Sequence, residues 1–182
     1  MDLDSQLAAL MVRDRTSLEE LLTAHASGLY AWWDPFGALD GRWPEGFPVV
    51  GQDVPLYVGI ARTSLAVRGG QMHLKKTRMS TLRRSLVGLL LDELDLSSYI
   101  LPSGGTKFGL RPDGESVLID WMVEHLRVSS VAVPHPGEHE RAIVSRLHPP
   151  LNDVFAHDGP YGSAMRAVRA TALARISAAP RA

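Results

Sequence analysis

The chain has 182 residues, of which 45% are hydrophobic and 21% charged, and its formal net charge is −1. This length suits one domain with its own core, and no apolar run approaches the ~20 residues that a membrane-spanning helix needs. There is no cysteine, which excludes disulfides, zinc fingers and a thiol nucleophile. Residues 1–4 are acidic, unlike the basic start of a signal peptide. We therefore expect a cytoplasmic globular protein without a membrane segment.

The first third of the chain predicts a helix followed by two strands. Thr16 or Ser17 can cap a short helix that ends near residue 25, with glutamates in its favourable first turn. Residues 29–33 are predicted to form a strand, 34–53 a long loop rich in glycine and proline, and 56–60 a second strand. Because only a loop joins the two strands, an antiparallel pair is the economical interpretation.

The rest of the chain predicts helices around a third strand. Ser80 can cap a helix that runs to about Leu94, with leucines recurring at helical spacing. Arg83 and Arg84 lie off this apolar stripe, where they can reach solvent. The later predictions are a loop over 101–112, a helix over 113–126, a strand over 127–133, a helix over 138–147 and a basic helix over 161–178. The predicted fold class is α/β, with a small antiparallel or mixed three-stranded sheet flanked by helices, in one domain over 1–182.

Positive charge is concentrated in two segments. No acidic residue occurs between Asp53 and Asp92 or after Asp158. A basic flank on a nearly neutral chain is typical of a protein that binds an anion such as nucleic acid, although a solvated basic face is an equally simple alternative. The tail after Asp158 contains Arg166, Arg169, Arg175 and Arg181. The candidate nucleic-acid contacts in the first segment are Arg62, Lys75, Lys76, Arg78, Arg83 and Arg84.

Four short patterns occur in order along residues 28–152. They are Gly28-Leu29-Tyr30, then Tyr57-Val58-Gly59, then a basic segment with Arg68 and His73, and finally Glu140-x-x-Ile-Val-x-x-Leu-x-Pro-x-Leu-Asn152. Either tripeptide alone is commonly just a core strand, whereas the fourth pattern is much more specific. In this order the patterns resemble the GIY-YIG nuclease superfamily.

The resemblance implies a metal-dependent endonuclease that hydrolyses phosphodiester bonds in nucleic acid, with DNA as the expected substrate and Mg²⁺ or Mn²⁺ as the cofactor. It implies that Tyr30 deprotonates or positions the attacking water, Tyr57 assists at the phosphate, Arg68 stabilises the transition state and Glu140 holds the metal. The residue types suit this chemistry. A single carboxylate suits hard Mg²⁺, which keeps most of its waters, and an arginine can clamp a phosphate through two parallel hydrogen bonds.

Three further residues have implied or inferred roles. His73 matches a family position that contacts phosphate or relays a proton, and Asn152 would tie down the loop after the last helix of the motif. Gly59 has no side chain, which would let the substrate approach closely. The simpler alternatives are that Tyr30 and Tyr57 are half-buried strand residues and that Glu140 is a solvated residue in the first turn of a helix.

The segment around Arg68 departs from the family pattern. Relative to Tyr57, Arg68 and His73 fall one and two residues later than the resemblance leads us to expect. Gly69 and Gly70 then stand where a helix should continue, and a glycine inside a helix costs about 1 kcal/mol. A broken helix is therefore one interpretation, in which the catalytic arginine would instead be Arg62, Arg83 or Arg84.

Two other functions fit the sequence. The irregular Arg68 segment favours a module of the same fold that binds nucleic acid without cleaving it. The near-neutral charge favours a protein-interaction domain without a nucleic-acid role. The oligomeric state is left open by the sequence.

Overall fold

The computed structural model describes residues 2–12, 17–156 and 159–178, with side chains up to 175. Thr16 and Arg181, named above, lie outside the described residues. The central element is a three-stranded antiparallel sheet of β1 (Gly28–Trp33), β2 (Tyr57–Ala61) and β5 (Arg127–Ala132). The strand order is β2-β1-β5. The predicted α/β class and the antiparallel pair are both confirmed.

Helices cover the two faces of this sheet. Within the described ranges they are α1 (Leu3–Leu10), α2 (Leu18–Thr23), α3 (Met72–Lys75), α4 (Thr81–Leu89), α5 (Pro112–His125), α6 (Glu140–Leu147) and α7 (Gly162–Ala178). Side-chain capping residues determine where two of these helices begin. Ser17 and Glu20 form a reciprocal capping box on α2, and the Ser80 hydroxyl accepts a hydrogen bond from the Arg83 amide at the start of α4.

The differences from the predicted elements lie mainly outside the sheet. Helix α1 was not predicted, and α4 ends at Leu89, five residues before the expected end. The predicted loop over 101–112 instead contains a hairpin of β3 (Ile100–Pro102) and β4 (Phe108–Leu110). Residues 34–53 contain no helix or strand, as expected.

The alternation of side chains along β1 divides the core between the two sheet faces. On one face Leu29, Ala31 and Trp33 pack against residues of α1 and α6. On the other face Tyr30 and Trp32 pack in the larger cluster, which includes the buried side of α4 and α5. The candidate tyrosines therefore point toward the α4 and α5 side.

Helix α7 packs closely on α4. A Cβ atom added at Gly88 would lie 2.5 Å from a methyl carbon of Val168, so the glycine permits this approach. Met165 and Ala172 of α7 are buried in the main core. No helix among the described residues combines the length and the apolar character that crossing a bilayer requires.

Candidate active site

An open cleft of about 470 Å³ lies beside the edge strand β2. The described residues that line it include four of the five predicted catalytic residues: Tyr30, Tyr57, Arg68 and Glu140. Arg62 and Gly59 line it as well. Residues distant in the chain are thus brought to one opening, and His73 is the predicted catalytic residue that does not line it.

The two tyrosines occupy the same face of the β1–β2 pair. Tyr30 is opposite Gly59 and Tyr57 is opposite Trp32, so the tyrosines are diagonal neighbours, with ring centroids 6.3 Å apart. Burial raises the pKa of both hydroxyls, and that of Tyr30 lies well above its ordinary value. Both phenols therefore remain protonated at neutral pH, which favours positioning a water over acting as a base.

The Tyr30 ring is held between two glycines. A Cβ atom at Gly59 would lie 2.3 Å from the Tyr30 hydroxyl oxygen, and one at Gly69 would lie 3.0 Å from Tyr30 Cγ. Both distances are shorter than ordinary van der Waals contact. The space left by Gly59 is therefore filled by the phenol of Tyr30, not left open for a substrate as the sequence suggested.

The Arg68 segment is helical throughout, so the expected break at Gly69 and Gly70 is wrong. Residues Ala66–Gln71 form a π-helical turn that continues directly into α3. A π-helix pairs residues i and i+5, and such turns occur as single insertions in α-helices, frequently at functional sites. Arg68 and His73 are five residues apart, one more than the family pattern leads us to expect. The π-helical turn accommodates this extra residue.

Arg68 faces the cleft without a strong partner of its own. The hydrogen bond that the structure gives its guanidinium is a long one, to the sulfur of Met72 at 3.7 Å. Among the described residues it forms no ion pair. The guanidinium is therefore available to an anion that enters the cleft.

His73 lies beneath the cleft and supports Tyr30. Its Nε2 atom is 2.8 Å from the Tyr30 hydroxyl oxygen, and its Nδ1 atom is 2.7 Å from the Ser80 hydroxyl. The ring is 1% exposed, and burial lowers its pKa to about 3, with Arg68 and Arg83 adding to the shift. A buried imidazole does not contact a phosphate directly in this structure, so the first of its two predicted roles does not agree with the geometry.

The prediction that Arg83 reaches solvent is wrong. Its side chain is fully buried and ion-paired with Glu115 at 2.5 Å. It also donates hydrogen bonds to the hydroxyl of Thr77 at 2.9 Å and to the carbonyl oxygens of His73 and Leu74, each at 3.0 Å. Arg83 therefore anchors the segment that contains His73 and is not available to nucleic acid.

Sequence reasoning missed Ser80 and Glu115 as supports of the site. The hydroxyl of Ser80 serves both as the cap of α4 and as the partner of His73. Glu115 accepts from Arg83 and, at 2.6 Å, from the hydroxyl of Thr77. The serine had a signal, since it was predicted as a cap, whereas the position of Glu115 opposite Arg83 depends on tertiary packing.

The other predicted nucleic-acid contacts are outside the cleft. Lys75, Lys76 and Arg78 are exposed on the segment that follows the π-helical turn. Arg84 is half-buried and donates to the carbonyl oxygen of Arg78 at 2.7 Å. Of the four arginines considered for the catalytic role, Arg62 and Arg68 line the cleft, while Arg83 and Arg84 do not.

Glu140 is the carboxylate of the cleft. It is the first residue of α6, and burial raises its pKa while the nearby Arg62 and Arg68 lower it. Among the described residues it forms no ion pair and accepts no side-chain hydrogen bond. The described residues contain no group of three or more ligands of the kind that encloses a transition metal. One free carboxylate in an open cleft fits Mg²⁺, which takes few protein ligands and combines them with waters and phosphate oxygens.

Asn152 covers the open edge of β2. Its Oδ1 atom accepts from the Val58 amide at 2.9 Å, and its Nδ2 atom donates to the Val58 carbonyl oxygen at 2.8 Å. Beside it, the Leu151 amide donates to the Leu56 carbonyl oxygen at 2.9 Å. The side-chain amide thus takes the place of a neighbouring strand and fixes β2 next to Tyr57.

A family model described as the GIY-YIG catalytic domain matches residues 42–159, which is more than half of the chain. The matched region begins after β1 and ends before α7, and it includes β2, the π-helical turn, Glu140 and Asn152. No curated protein and no solved structure matches the chain.

Proposed function

Because the chain belongs to the GIY-YIG catalytic domain family, which indicates a nuclease acting on nucleic acid, we propose that it is a metal-dependent endonuclease that hydrolyses phosphodiester bonds in DNA. The observation that best supports this proposal is the convergence of Tyr30, Tyr57, Arg68 and Glu140 on one cleft. The cysteine-free composition also suits a reducing cytoplasm, which is the location we propose.

The phosphate would bind between Arg68 and the edge of β2. Arg68 would donate two parallel hydrogen bonds to non-bridging oxygens and offset the charge that develops on them during hydrolysis. Arg62, on the same cleft, would add to the positive field. This arrangement requires an arginine without an internal ion pair, as found for Arg68 among the described residues.

The tyrosines would act as neutral donors. Tyr57 is 9% exposed and borders the cleft, so its hydroxyl would hydrogen-bond to the attacking water or to a phosphate oxygen. Tyr30 is fully buried, and its hydroxyl is fixed by His73 at 2.8 Å. Because the Tyr30–His73 and His73–Ser80 pairs are each within hydrogen-bond distance, the neutral imidazole holds the Tyr30 hydroxyl in place beside Tyr57.

Glu140 would hold the metal ion, for which we propose Mg²⁺ or Mn²⁺. When bound, such an ion stabilises developing charge on phosphate oxygens and lowers the pKa of a coordinated water. The role of Glu140 itself is to supply a negative charge at a half-buried position facing Arg62 and Arg68. That charge keeps the cleft from being purely cationic before the substrate arrives.

The alternative of a binding module that has lost catalysis has less support than the sequence suggested. Its basis was the irregular spacing around Arg68, which was compatible with a broken helix. In the structure the π-helical turn is continuous, and Arg68 lines the cleft with Glu140. The geometry therefore no longer favours this alternative, and a cleavage assay is what distinguishes it from an active nuclease.

The test compares cleavage by wild type and Glu140→Gln. Supercoiled plasmid, linear duplex and RNA are incubated with Mg²⁺ or Mn²⁺, and parallel reactions contain EDTA. Glu140→Gln keeps the shape of the side chain but removes the charge, so we expect cleavage to fall by orders of magnitude, each factor of ten corresponding to about 1.4 kcal/mol of barrier. The matched control is Glu138→Gln, an exposed carboxylate two residues away that does not line the cleft.

Each outcome bears on the proposal. Loss of cleavage in Glu140→Gln and in EDTA, with normal cleavage by Glu138→Gln, supports it. Full activity of Glu140→Gln would show that the metal is held elsewhere and that the assignment of the site is wrong. Binding without cleavage by wild type on every substrate and metal would favour the inactive module.

A further inference from the structure

A second cleft, of about 560 Å³, lies between α4, the loop that joins β3 to β4, and α7. Its lining is strongly basic. Among the described residues that line it, the charged ones are Arg84, Lys107, Arg166, Arg169 and one carboxylate, Asp153. A cleft with such a charge imbalance is suited to an anion.

The cleft is formed by packed elements. Arg169 is 8% exposed, and its guanidinium donates to Asp153 at 2.8 Å and to the hydroxyl of Ser85 at 3.0 Å. Helix α7, which contributes it, is fitted closely to α4 at Gly88 and Val168. The Arg169–Asp153 pair therefore has a fixed position on one side of the cleft, and its positive and negative charges largely offset each other.

Apart from this pair, the cleft is lined by three further cations, Arg84, Lys107 and Arg166. Arg84 is half-buried and donates to the Arg78 carbonyl oxygen at 2.7 Å and to the Thr81 hydroxyl at 3.1 Å. Neither Arg84 nor Lys107 forms an ion pair within the described part of the chain. Partly burying a cation without a carboxylate costs free energy, and an anionic ligand would offset that cost.

Arg84 also connects this cleft with the candidate active site. Burial raises the pKa of the Tyr57 hydroxyl and the positive charge of Arg84 partly opposes that rise, while burial and the charge of Arg169 lower the pKa of Arg84. Arg84 is thus within electrostatic range of both Tyr57 and Arg169. An extended polyanion could therefore occupy both clefts at once, whereas an isolated small anion would gain nothing from their proximity.

We propose that the basic cleft formed by Arg84, Lys107 and the Arg169–Asp153 pair binds a backbone phosphate of the nucleic-acid substrate that flanks the scissile one. This inference rests on the proposed function, because it assigns the same strand to both clefts. Arg84 and Lys107 make the direct contacts, and Arg169 is a positioning residue. Helix α7 begins after the end of the family match at residue 159, so the positioning residue Arg169 comes from outside the matched region, whereas Arg84 and Lys107 lie within it.

The test measures binding by the Glu140→Gln chain, so that cleavage does not deplete the probe. The probes are a fluorescent DNA duplex and an RNA strand of the same sequence, titrated at several salt concentrations. Lys107→Glu and Arg84→Gln are added singly. The control is Arg146→Glu, because Arg146 is an exposed arginine on α6 whose partner, Asp4, is also on the surface.

We expect Lys107→Glu to weaken binding severalfold and to flatten the slope of log K against log salt by about one unit, as for the loss of one phosphate contact. Arg84→Gln should have a similar effect, and Arg146→Glu should leave the slope unchanged. Lys107 is exposed in a loop, so its variant should fold, and a melting curve verifies this. Equal effects of Lys107→Glu and Arg146→Glu would overturn the proposal.

The outcomes separate this inference from the proposed function. If the wild-type protein cleaves DNA but the cleft variants bind like the control, the inference is wrong and the nuclease assignment stands. If the cleft variants lose binding but no metal supports cleavage by the wild-type protein, the second phosphate site stands and the nuclease assignment is wrong. If polyglutamate binds in place of nucleic acid and Lys107→Glu abolishes that binding, the cleft serves an acidic protein and the inference is overturned.

Discussion

Replacing Gly59 with alanine should disrupt the candidate site by displacing Tyr30. The new Cβ atom would lie 2.3 Å from the Tyr30 hydroxyl oxygen and 2.4 Å from Cζ, whereas ordinary van der Waals contact begins near 3.4 Å. The phenol must therefore move by about 1 Å, unless β2 itself moves. Asn152 opposes movement of β2, because it is hydrogen-bonded to the backbone of Val58.

The ring has little space for such a movement. Gly69 lies on its other side, and a Cβ atom there would already be 3.0 Å from Tyr30 Cγ. A shift would also break the hydrogen bond to His73, which is 2.8 Å long. Overpacking costs about 1–3 kcal/mol and the buried hydrogen bond contributes about 1 kcal/mol. For a protein of this size the combined cost of about 2–4 kcal/mol corresponds to a fall in melting temperature of about 4–16 °C.

Two measurements on Gly59→Ala check the reasoning: thermal unfolding, and DNA cleavage under conditions where the variant is folded. A displacement of about 1 Å in a catalytic group can reduce the rate by about 10²-fold. Gly51→Ala is the matched control, because its Cβ atom would meet nothing within 4 Å. A Gly59→Ala variant with the melting temperature of Gly51→Ala would refute the close packing of Tyr30. A destabilised variant with an unchanged rate would refute the role of Tyr30 in the chemistry.

Three other predictions concern the supports of the site. Asn152→Ala should lower the melting temperature by several degrees, on the order of 1–2 kcal/mol for the lost hydrogen bonds to Val58; a wild-type melting curve would contradict its structural role. Arg83→Met should destabilise the fold by about 3–5 kcal/mol, because it leaves the Glu115 carboxylate without its cationic partner, and chemical unfolding should show recovery when Glu115→Leu is added. The pKa of His73 is about 3 in the folded chain and near 6.5 when unfolded, so the unfolded chain binds the proton more readily. Stability linked to His73 is complete above pH 6.5 and falls as the pH drops toward 3, by roughly 2–3 kcal/mol at pH 4.5. His73→Gln should lose this part of the acid sensitivity in melting curves from pH 7.5 to 4.5, and equal sensitivity in both proteins would exclude it.

The parts of the site on the sheet were predictable because strand geometry is local. Tyr30 and Tyr57 can share a face when their strands pair in a suitable register, and the structure places them as diagonal neighbours. Glu140 and Asn152 are positioned by tertiary packing, and the specific spacing of the fourth pattern identified them. The predicted core over 28–152 and the single domain over 1–182 remain predictions, as do the roles of the site residues.

The errors arose where tertiary partners override the local pattern. Helical periodicity places Arg83 off the apolar stripe, but it cannot distinguish solvent from a buried carboxylate such as Glu115 on another helix. The β3–β4 hairpin was obscured by Pro102 and by the Gly104–Gly105 pair, which were interpreted as loop residues. The two glycines do form the turn, each with a positive φ. The sequence therefore indicated the turn but not the two flanking strands, because each strand is only three residues long.

The π-helical turn of Ala66–Gln71 affects how related sequences should be aligned. An extra residue in an α-helix rotates everything after it by about 100°, which would carry His73 away from Tyr30. The wider turn confines that extra residue to one place, and the following helix keeps its orientation toward the sheet. Homologous chains could therefore gain or lose a residue here while keeping the same arginine and histidine in register. An alignment of this family should allow a gap between 66 and 71, and a search pattern with a fixed arginine–histidine spacing would overlook members that differ only by this insertion.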